Sequence, residues 1–196
     1  IDEKHPINPQ SPYAATKASA DNLAMSFFYS YDLPVGIIRP FNTFGPRQSL
    51  RAIIPSIICQ YLENKQINLG YIKSTRSFNY VDDTIRGIYS SVTKHSSVGE
   101  VINIGNDYEI MISDIVEMIS EILGIKKKIN IKSDRLRPKN SEVQNLSCDY
   151  SKAYKLLGWK PSISNKKTFM SYLSKTIKWY QKKSNFEKVF SSKFVY

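Results

Sequence analysis

Apolar positions along the chain alternate between helical spacing and short strand-like runs. The pair Ser11–Pro12 is typical of a helix start, because serine caps free amides and proline fits the first turn. Helix formers fill residues 14–31, and the short β-branched run of residues 35–39 ends at Pro40. Such a run is typical of a strand that is buried on both faces. A helix followed by a buried strand predicts a parallel sheet.

The same alternation continues towards the C-terminus. The pattern predicts helices over residues 52–63, 82–93, 113–123, 152–157 and 168–181, and strands over residues 67–70, 77–81, 101–104 and 129–131. Asp82 or Asp83 and Ser113 are the predicted N-terminal caps of two of these helices, and residues 41–50 are predicted to form a loop. Alternating elements of this kind indicate an α/β protein.

Composition favours a folded protein without a membrane span. The chain has 196 residues, of which 41% are hydrophobic, so it can bury a core. No stretch approaches the roughly 20 uncharged apolar residues that a transmembrane helix needs. Cys59 and Cys148 form neither a disulfide framework nor a metal set, and His5 and His95 have no ligand-like companions. We therefore expect no metal site and a reducing, cytoplasmic setting.

The formal net charge of +11 suggests a second class of function, nucleic-acid binding. Much of the excess is lysine scattered over the C-terminal half, which favours a solvated face. Neither a zinc-finger spacing nor an RNA-recognition signature accompanies the charge. We therefore expect no nucleic-acid partner. A basic nucleic-acid-binding module on a reused dehydrogenase fold is the alternative from another class.

Tyr13 and Lys17 are the first candidate catalytic residues. They are four positions apart on the first predicted helix, so their side chains share one face. An ammonium close to a phenol favours the phenolate, which suits general acid or base chemistry near neutral pH. Tyr61 and Lys65 have the same spacing but lie near the end of their predicted helix. Context therefore favours the first pair.

Several spaced motifs share a single resemblance. They are SPYAATK at residues 11–17, RPFNTFGP at 39–46, RSFNYVDD at 76–83, NIGN at 103–106, RPKNSEV at 137–143 and LGWKP at 157–161. In this order they resemble the extended short-chain dehydrogenase/reductase family, the NAD-dependent epimerases and dehydratases of nucleotide-sugars. The resemblance covers nearly the whole chain.

The resemblance implies the C-terminal part of a Rossmann-type doubly wound parallel sheet plus a smaller α/β substrate-binding domain. Residues 1–48 would be a remnant of the NAD-binding domain, and residues 49–196 mainly substrate-binding, with 77–108 returning to the Rossmann core. The glycines are too widely spaced for the family's pyrophosphate-binding turn, and the chain starts at Ile1 without an initiator methionine. We therefore interpret the sequence as a C-terminal fragment and predict that it does not turn over alone.

The same resemblance implies roles for particular residues. Tyr13 and Lys17 would contact the nicotinamide ribose of NAD, rather than NADP, and Tyr13 would take the proton of the sugar 4-hydroxyl. Pro40 would line the nicotinamide side of the cofactor. The implied substrate-binding residues are Asn42, Ala52, Ile53, Thr75, Arg76 and Arg137, with the two arginines on the diphosphate.

The motifs look most like nucleotide-sugar 4,6-dehydratases that act on nucleotide-linked N-acetylglucosamine in legionaminic acid synthesis. The alternatives within the enzyme class are a UDP-sugar 4-epimerase and a UDP-glucuronate decarboxylase. A homodimer is also implied, with Leu23, Phe27 and Phe28 of the first helix available for a bundle between subunits. The same side chains could equally pack within one subunit.

Overall fold

The computed structural model describes residues 1–63, 65–133 and 143–191. Its helices are α1 (Pro12–Tyr31), α2 (Ile53–Leu62), α3 (Val81–Thr93), α4 (Ile112–Leu123), α5 (Ser151–Leu157), α6 (Lys166–Gln181) and α7 (Lys183–Ser191). Its strands are β1 (Ile37–Pro40), β2 (Thr43–Phe44), β3 (Ile67–Leu69), β4 (Thr75–Ser77), β5 (Asn79–Tyr80), β6 (Val101–Ile104), β7 (Glu109–Met111), β8 (Ile129–Ile131) and β9 (Asn145–Leu146). Helices and strands alternate along most of the chain, which confirms the predicted α/β class.

Strands β1 and β6 form a parallel pair whose register runs from Ile37 opposite Val101 to Pro40 opposite Ile104. Pro40 is therefore the last paired residue of β1. The sequence predicted a strand over residues 35–39 that Pro40 would end. The amide of Phe41 donates to the Ile104 carbonyl, so the amide position of residue 40 faces away from β6. A proline fits there because no donor is needed on that side.

The remaining strands form short pairings. Strand β2 pairs with β5 and β3 with β8, both in parallel, while β4 lies between antiparallel β7 and parallel β9. Strands β2, β7 and β9 were missed by the sequence prediction, and β4 and β5 replace the single strand predicted over residues 77–81. These strands are two or three residues long, so partner strands rather than local propensity determine them.

The larger hydrophobic core lies between α2, α4 and α6. Its fully buried side chains include Ile54, Ile57, Ile58, Ile115, Ile119, Phe169, Leu173 and Tyr180. Phe169 is 0% exposed, and its ring lies 5.2 Å from the ring of Phe44 and 6.2 Å from that of Tyr108. Helix α6 begins with a capping box between Asn165 and Thr168, two residues earlier than predicted.

A smaller core covers one face of the β1–β6 pair. Ile102 and Ile104 of β6 pack with Leu157 and Trp159, which belong to α5 and the loop after it. Helix α3 approaches the same face closely, because a Cβ atom placed on Gly87 would come within 2.8 Å of the Ile104 side chain. Glycine therefore allows close packing of this helix on the strand.

Asp82 and Asp83 lie inside the first turn of α3 and do not cap it, which corrects the prediction. The N-cap is Tyr80, without a side-chain hydrogen bond. The Asp83 carboxylate is buried, forms an ion pair with Arg86, and accepts hydrogen bonds from the Ser162 amide at 2.7 Å and the Ser162 hydroxyl at 2.7 Å. Asp83 thus holds the loop after α5 against α3.

Ser113 does not cap α4, which is a second correction. Met111 is the N-cap and makes no side-chain hydrogen bond. The first amides of the helix are instead satisfied by backbone, since Ile112 donates to the Ser74 carbonyl and Ser113 to the Ile72 carbonyl. The segment before β4 therefore takes the place of a capping side chain.

Candidate active site

Tyr13 and Lys17 project from the first two turns of α1. The helix begins as predicted, with the Ser11 hydroxyl accepting a hydrogen bond from the Ala14 amide at 3.1 Å and with Pro12 in the first turn. Tyr13 is 75% exposed, and Lys17 is also exposed. Both side chains are accessible to a bound molecule.

One side-chain hydrogen bond ties α1 to the sheet. The Arg39 Nε atom, on β1, donates to the Asp21 carboxylate at 2.8 Å. Asp21 lies two turns beyond Tyr13 on the helix. At about 1.5 Å per residue, Tyr13 stands roughly 12 Å farther along the axis than this anchor. The pair therefore fixes α1 relative to the strand that leads to Pro40.

A cavity of about 900 Å³ opens beside α2, β3 and β4. It brings together several of the predicted substrate-binding residues, namely Asn42, Ala52, Ile53 and Arg76. Tyr13, Lys17, Pro40 and Thr75 are not part of its wall. Arg137 falls outside the described residues. The volume is in the range of small-molecule sites.

The cavity wall is cationic. Arg51, Arg76 and Lys65 line it together with a single carboxylate among the described lining residues, Glu63. Lys65 Nζ lies 3.0 Å from Glu63 Oε1, and Arg51 and Arg76 contribute two guanidinium groups to the same wall. Guanidinium groups offer paired donors that match phosphate oxygens.

Arg76 is held in place by backbone carbonyls. Its Nη1 atom donates to the Thr75 carbonyl at 2.7 Å and to the Gln144 carbonyl at 3.1 Å. The Thr75 hydroxyl is directed elsewhere, since it donates to Asn145 at 2.6 Å and to Glu109 at 3.1 Å. The Thr75 side chain therefore joins β4 to β7 and β9 by hydrogen bonds.

Two buried polar atoms along the wall have no hydrogen-bond partner among the described residues. They are Asn42 Nδ2, a donor, and Gln48 Oε1, an acceptor. Buried polar groups in folded proteins are nearly always hydrogen-bonded, so these two unpaired atoms are unusual. The sequence predicted Asn42 but missed Gln48, although Gln48 follows the RPFNTFGP motif closely enough to have been considered.

Cys59 also lines the cavity but is not a reactive group. Burial, with a contribution from Glu63, raises the pKa of its thiol to about 12. The thiol is therefore protonated near neutral pH, and a protonated thiol is a poor nucleophile. Within the described ranges, no group of three or more His, Cys, Asp or Glu side chains has the arrangement needed for a metal ion. Nor does any helix there have the length and apolar character to cross a membrane.

Comparison with known proteins places this geometry among sugar-nucleotide enzymes. The dTDP-D-glucose 4,6-dehydratase of Dictyostelium discoideum is 32% identical over 220 residues, covering 94% of this chain and 48% of that protein. The dTDP-glucose 4,6-dehydratase of Bacillus anthracis, solved in complex with NAD, superposes with a TM-score of 0.85 at 30% identity, covering 96% of this chain and 58% of that one. The UDP-glucuronic acid 4-epimerase of Bacillus cereus gives a TM-score of 0.81 at 32% identity, covering 91% and 55%.

The chain has the Rossmann-type α/β fold of these solved dehydratases and epimerases, which confirms the predicted fold class. A family model described as GDP-mannose 4,6 dehydratase matches residues 1–171. The chain belongs to this family of nucleotide-sugar dehydratases and epimerases, as its motifs predicted. It spans about half the length of the curated relatives that it matches first.

Proposed function

We propose that this chain supplies the substrate cavity and the Tyr13–Lys17 pair of an NAD-dependent nucleotide-sugar 4,6-dehydratase. The observation that carries the proposal is the cavity of about 900 Å³ with Arg51 and Arg76 in its wall. A cationic cavity suits a diphosphate, and dTDP-glucose 4,6-dehydratases are prominent among the relatives.

The substrate diphosphate would lie against Arg76. Two backbone carbonyls already orient its guanidinium, so little conformational freedom is lost on binding. Asn42, Ala52 and Ile53 form the adjoining wall. From the motifs, Arg137 is proposed as the second arginine that binds the diphosphate. Thr75, which precedes Arg76, is proposed from the same motifs as a further substrate-binding residue.

The residues at the start of α1 fit the nicotinamide end of NAD. The exposed phenol of Tyr13 and the ammonium of Lys17 share one helix face and can bond ribose hydroxyls, with Pro40 at the carboxyl end of β1 on the nicotinamide side. When bound, NAD accepts a hydride from C4 of the sugar. The family's glycine-rich pyrophosphate turn is not within these residues.

Proton transfer is the task of Tyr13. As the hydride leaves C4, the 4-hydroxyl loses its proton to the phenolate oxygen and becomes a carbonyl. Lys17, four residues further along the same helix face, brings a positive charge to this end of the site. Loss of the C5 proton and the 6-hydroxyl as water, return of the hydride to C6 and addition of a proton to C5 would then give a 4-keto-6-deoxy sugar.

A 4-epimerase is the second candidate, and the similarity to the Bacillus cereus UDP-glucuronic acid 4-epimerase favours it. A UDP-glucuronate decarboxylase uses the same Tyr and Lys roles. Nucleotide-linked N-acetylglucosamine, as in legionaminic acid synthesis, remains the substrate that the motifs predict. A cytoplasmic homodimer joined through Leu23, Phe27 and Phe28 of α1 likewise remains a proposal.

Product analysis separates these reactions. The 196 residues and a full-length enzyme that contains them are incubated with NAD and either dTDP-glucose or UDP-N-acetylglucosamine. We expect a 4-keto-6-deoxy product from the longer polypeptide and no turnover by the 196 residues alone. Tyr13→Phe should abolish the product without weakening substrate binding. A C4 epimer as the product would favour the second candidate.

A further inference from the structure

Three polar residues of α1 follow one another on a single face of the helix. Tyr13, Lys17 and Asp21 are spaced four residues apart. Side chains with this spacing are neighbours on a helix surface, so Lys17 lies between Tyr13 and Asp21 along the face. Lysine and aspartate side chains at this spacing attract each other and can form an ion pair. Such a pair would engage the ammonium that the proposed function assigns to the ribose of NAD.

Asp21 has a different partner, which comes from the sheet. Its Oδ2 atom accepts a hydrogen bond from Arg39 Nε, on β1, at 2.8 Å. The side chains of Asp21 and Arg39 are 23% and 28% exposed, so this contact is partly shielded from water. Lys17 is exposed, and within the described part of the chain its ammonium forms no ion pair and no hydrogen bond. The carboxylate thus contacts β1 and leaves Lys17 unpaired.

Arg39 and Lys17 can therefore compete for the same carboxylate, and Arg39 is the stronger competitor. Coulombic attraction is greater in a partly shielded contact than on an exposed helix face, where pairs four residues apart are weak. Removal of the guanidinium would leave the carboxylate of Asp21 without its partner. Lys17 is the only cationic side chain of α1 and lies one turn away. It is therefore the side chain that would pair with Asp21 next.

We infer that Arg39 is a positioning residue, which engages the Asp21 carboxylate and so keeps the Lys17 ammonium free to bind the ribose hydroxyls of NAD. This inference rests on the proposed function, because it assumes that Lys17 meets the cofactor in the whole enzyme. It gives the pair between Arg39 and Asp21 a second role besides tying α1 to β1. The two roles differ in what happens when both partners are removed together.

The rate at which Lys17 is acetylated tests the inference without cofactor or turnover. The 196-residue chain and its variants are treated with sulfo-N-hydroxysuccinimide acetate, and mass spectrometry of the peptide that contains Lys17 gives the rate. The exposed Lys167 of α6 serves as the internal reference. An ammonium beside a carboxylate is held in its protonated form and reacts more slowly. For a pair on an exposed helix face, the expected factor is about two- to fivefold.

Four variants give different expected rates. Arg39→Met should slow acetylation of Lys17 by this factor, because Asp21 then pairs with Lys17. Arg39→Met combined with Asp21→Asn should restore the unsubstituted rate, although the contact between α1 and β1 is still missing. Arg39→Lys keeps a cation opposite Asp21 and should also retain the unsubstituted rate. Lys152→Met is the matched control, since it breaks another partly exposed ion pair, with Glu100, and should leave Lys17 unchanged.

A loosened helix cannot imitate this result, because local opening exposes side chains and would speed acetylation. If Arg39→Met leaves the rate unchanged, or if the double variant is as slow as Arg39→Met, the inference is wrong.

Binding of NAD to a full-length enzyme that contains these residues tests the link to the cofactor. Arg39→Met should weaken NAD binding by about the same two- to fivefold factor, and the double variant should restore it. If the acetylation rates follow the expected pattern but Lys17→Met leaves NAD binding unchanged, the proposed role of Lys17 is wrong. In that case the competition for Asp21 is real but does not serve the cofactor.

Discussion

The residues around the cavity and those around β1 differ in how much apolar surface they bury. We call α2, α4, α6 and strands β2 to β5 the cavity region, and α1, β1, α3 and β6 the β1 region. In the cavity region, aliphatic and aromatic side chains from three helices form one continuous buried cluster. In the β1 region, the 20-residue helix α1 has no buried residue at all.

The outer face of helix α3 also leaves apolar side chains exposed. Ile85, Ile88, Tyr89 and Val92 recur at helical spacing and are exposed, Val92 to 81%. Among the described residues, β1 pairs with a strand on one edge only. Exposed apolar stripes of this kind mark surfaces that other polypeptide covers. Because the longer relatives carry about as much chain again, we expect their additional half to cover such a surface.

The largest expected effect is a loss of core packing in the cavity region. Phe169→Ala removes a fully buried ring that contacts Phe44, Phe78 and Tyr108, and should lower the free energy of unfolding by about 3–5 kcal/mol. Urea denaturation measures the change. Tyr89→Ala on the exposed face of α3 should shift it by no more than about 0.5 kcal/mol. Similar losses for both would remove the contrast between the regions.

The next effect concerns the polar contacts that replace packing in the β1 region. Asp83→Ala removes the carboxylate that joins Arg86 and Ser162, so α3 and the loop after α5 should separate more easily. Losing several hydrogen bonds to a buried charge should cost about 2–3 kcal/mol, measured by thermal unfolding. The neighbouring Asp82→Ala is the control, because Asp82 is exposed and lies in the same first turn of α3, where its charge interacts with the helix dipole. Equal effects would show that the buried contacts of Asp83 are not important.

A smaller effect is expected where α1 is tied to β1. Asp21→Asn breaks the ion pair with Arg39, and should cost at most about 1 kcal/mol because both side chains are partly exposed. The loss of protection within α1 should be larger than this change in overall stability suggests, since α1 has no buried residue. Hydrogen exchange of residues 12–31 should accelerate while α6 stays protected. Lys152→Met, which breaks the partly exposed pair with Glu100, should leave α1 exchange unchanged.

Sequence reasoning succeeded where the signal is local. The Ser11 cap and Pro12 located α1, and Gly158 located the end of α5, where it adopts the left-handed conformation. It failed where contacts distant in sequence decide. Strand β9 exists because β4 lies beside it, and α4 is capped by the Ser74 and Ile72 carbonyls instead of Ser113. Motifs therefore made Tyr13 and Arg76 candidate site residues, which stays a prediction, whereas the unpaired oxygen of Gln48 is visible only in the folded structure.

The finest test compares the two cysteines, which lie in different parts of the molecule. Cys59 is in the larger core, and Cys148 packs beneath Gly105, directly after β6. Burial is the main reason that the pKa of each thiol is raised from 9.0 to about 12. A raised pKa stabilises the fold below pH 9, and this contribution is lost as the pH rises from 9 towards 12.

At pH 8 both thiols are protonated in the folded chain, so alkylation requires local opening. If the β1 region is the less stable one, iodoacetamide should modify Cys148 several-fold faster than Cys59, as followed by mass spectrometry of their peptides. Cys59→Ser and Cys148→Ser variants assign each rate. Near-unfolding concentrations of urea should make the rates converge, because global unfolding exposes both thiols together. Faster modification of Cys59 in the absence of urea would reverse the proposed order of stability.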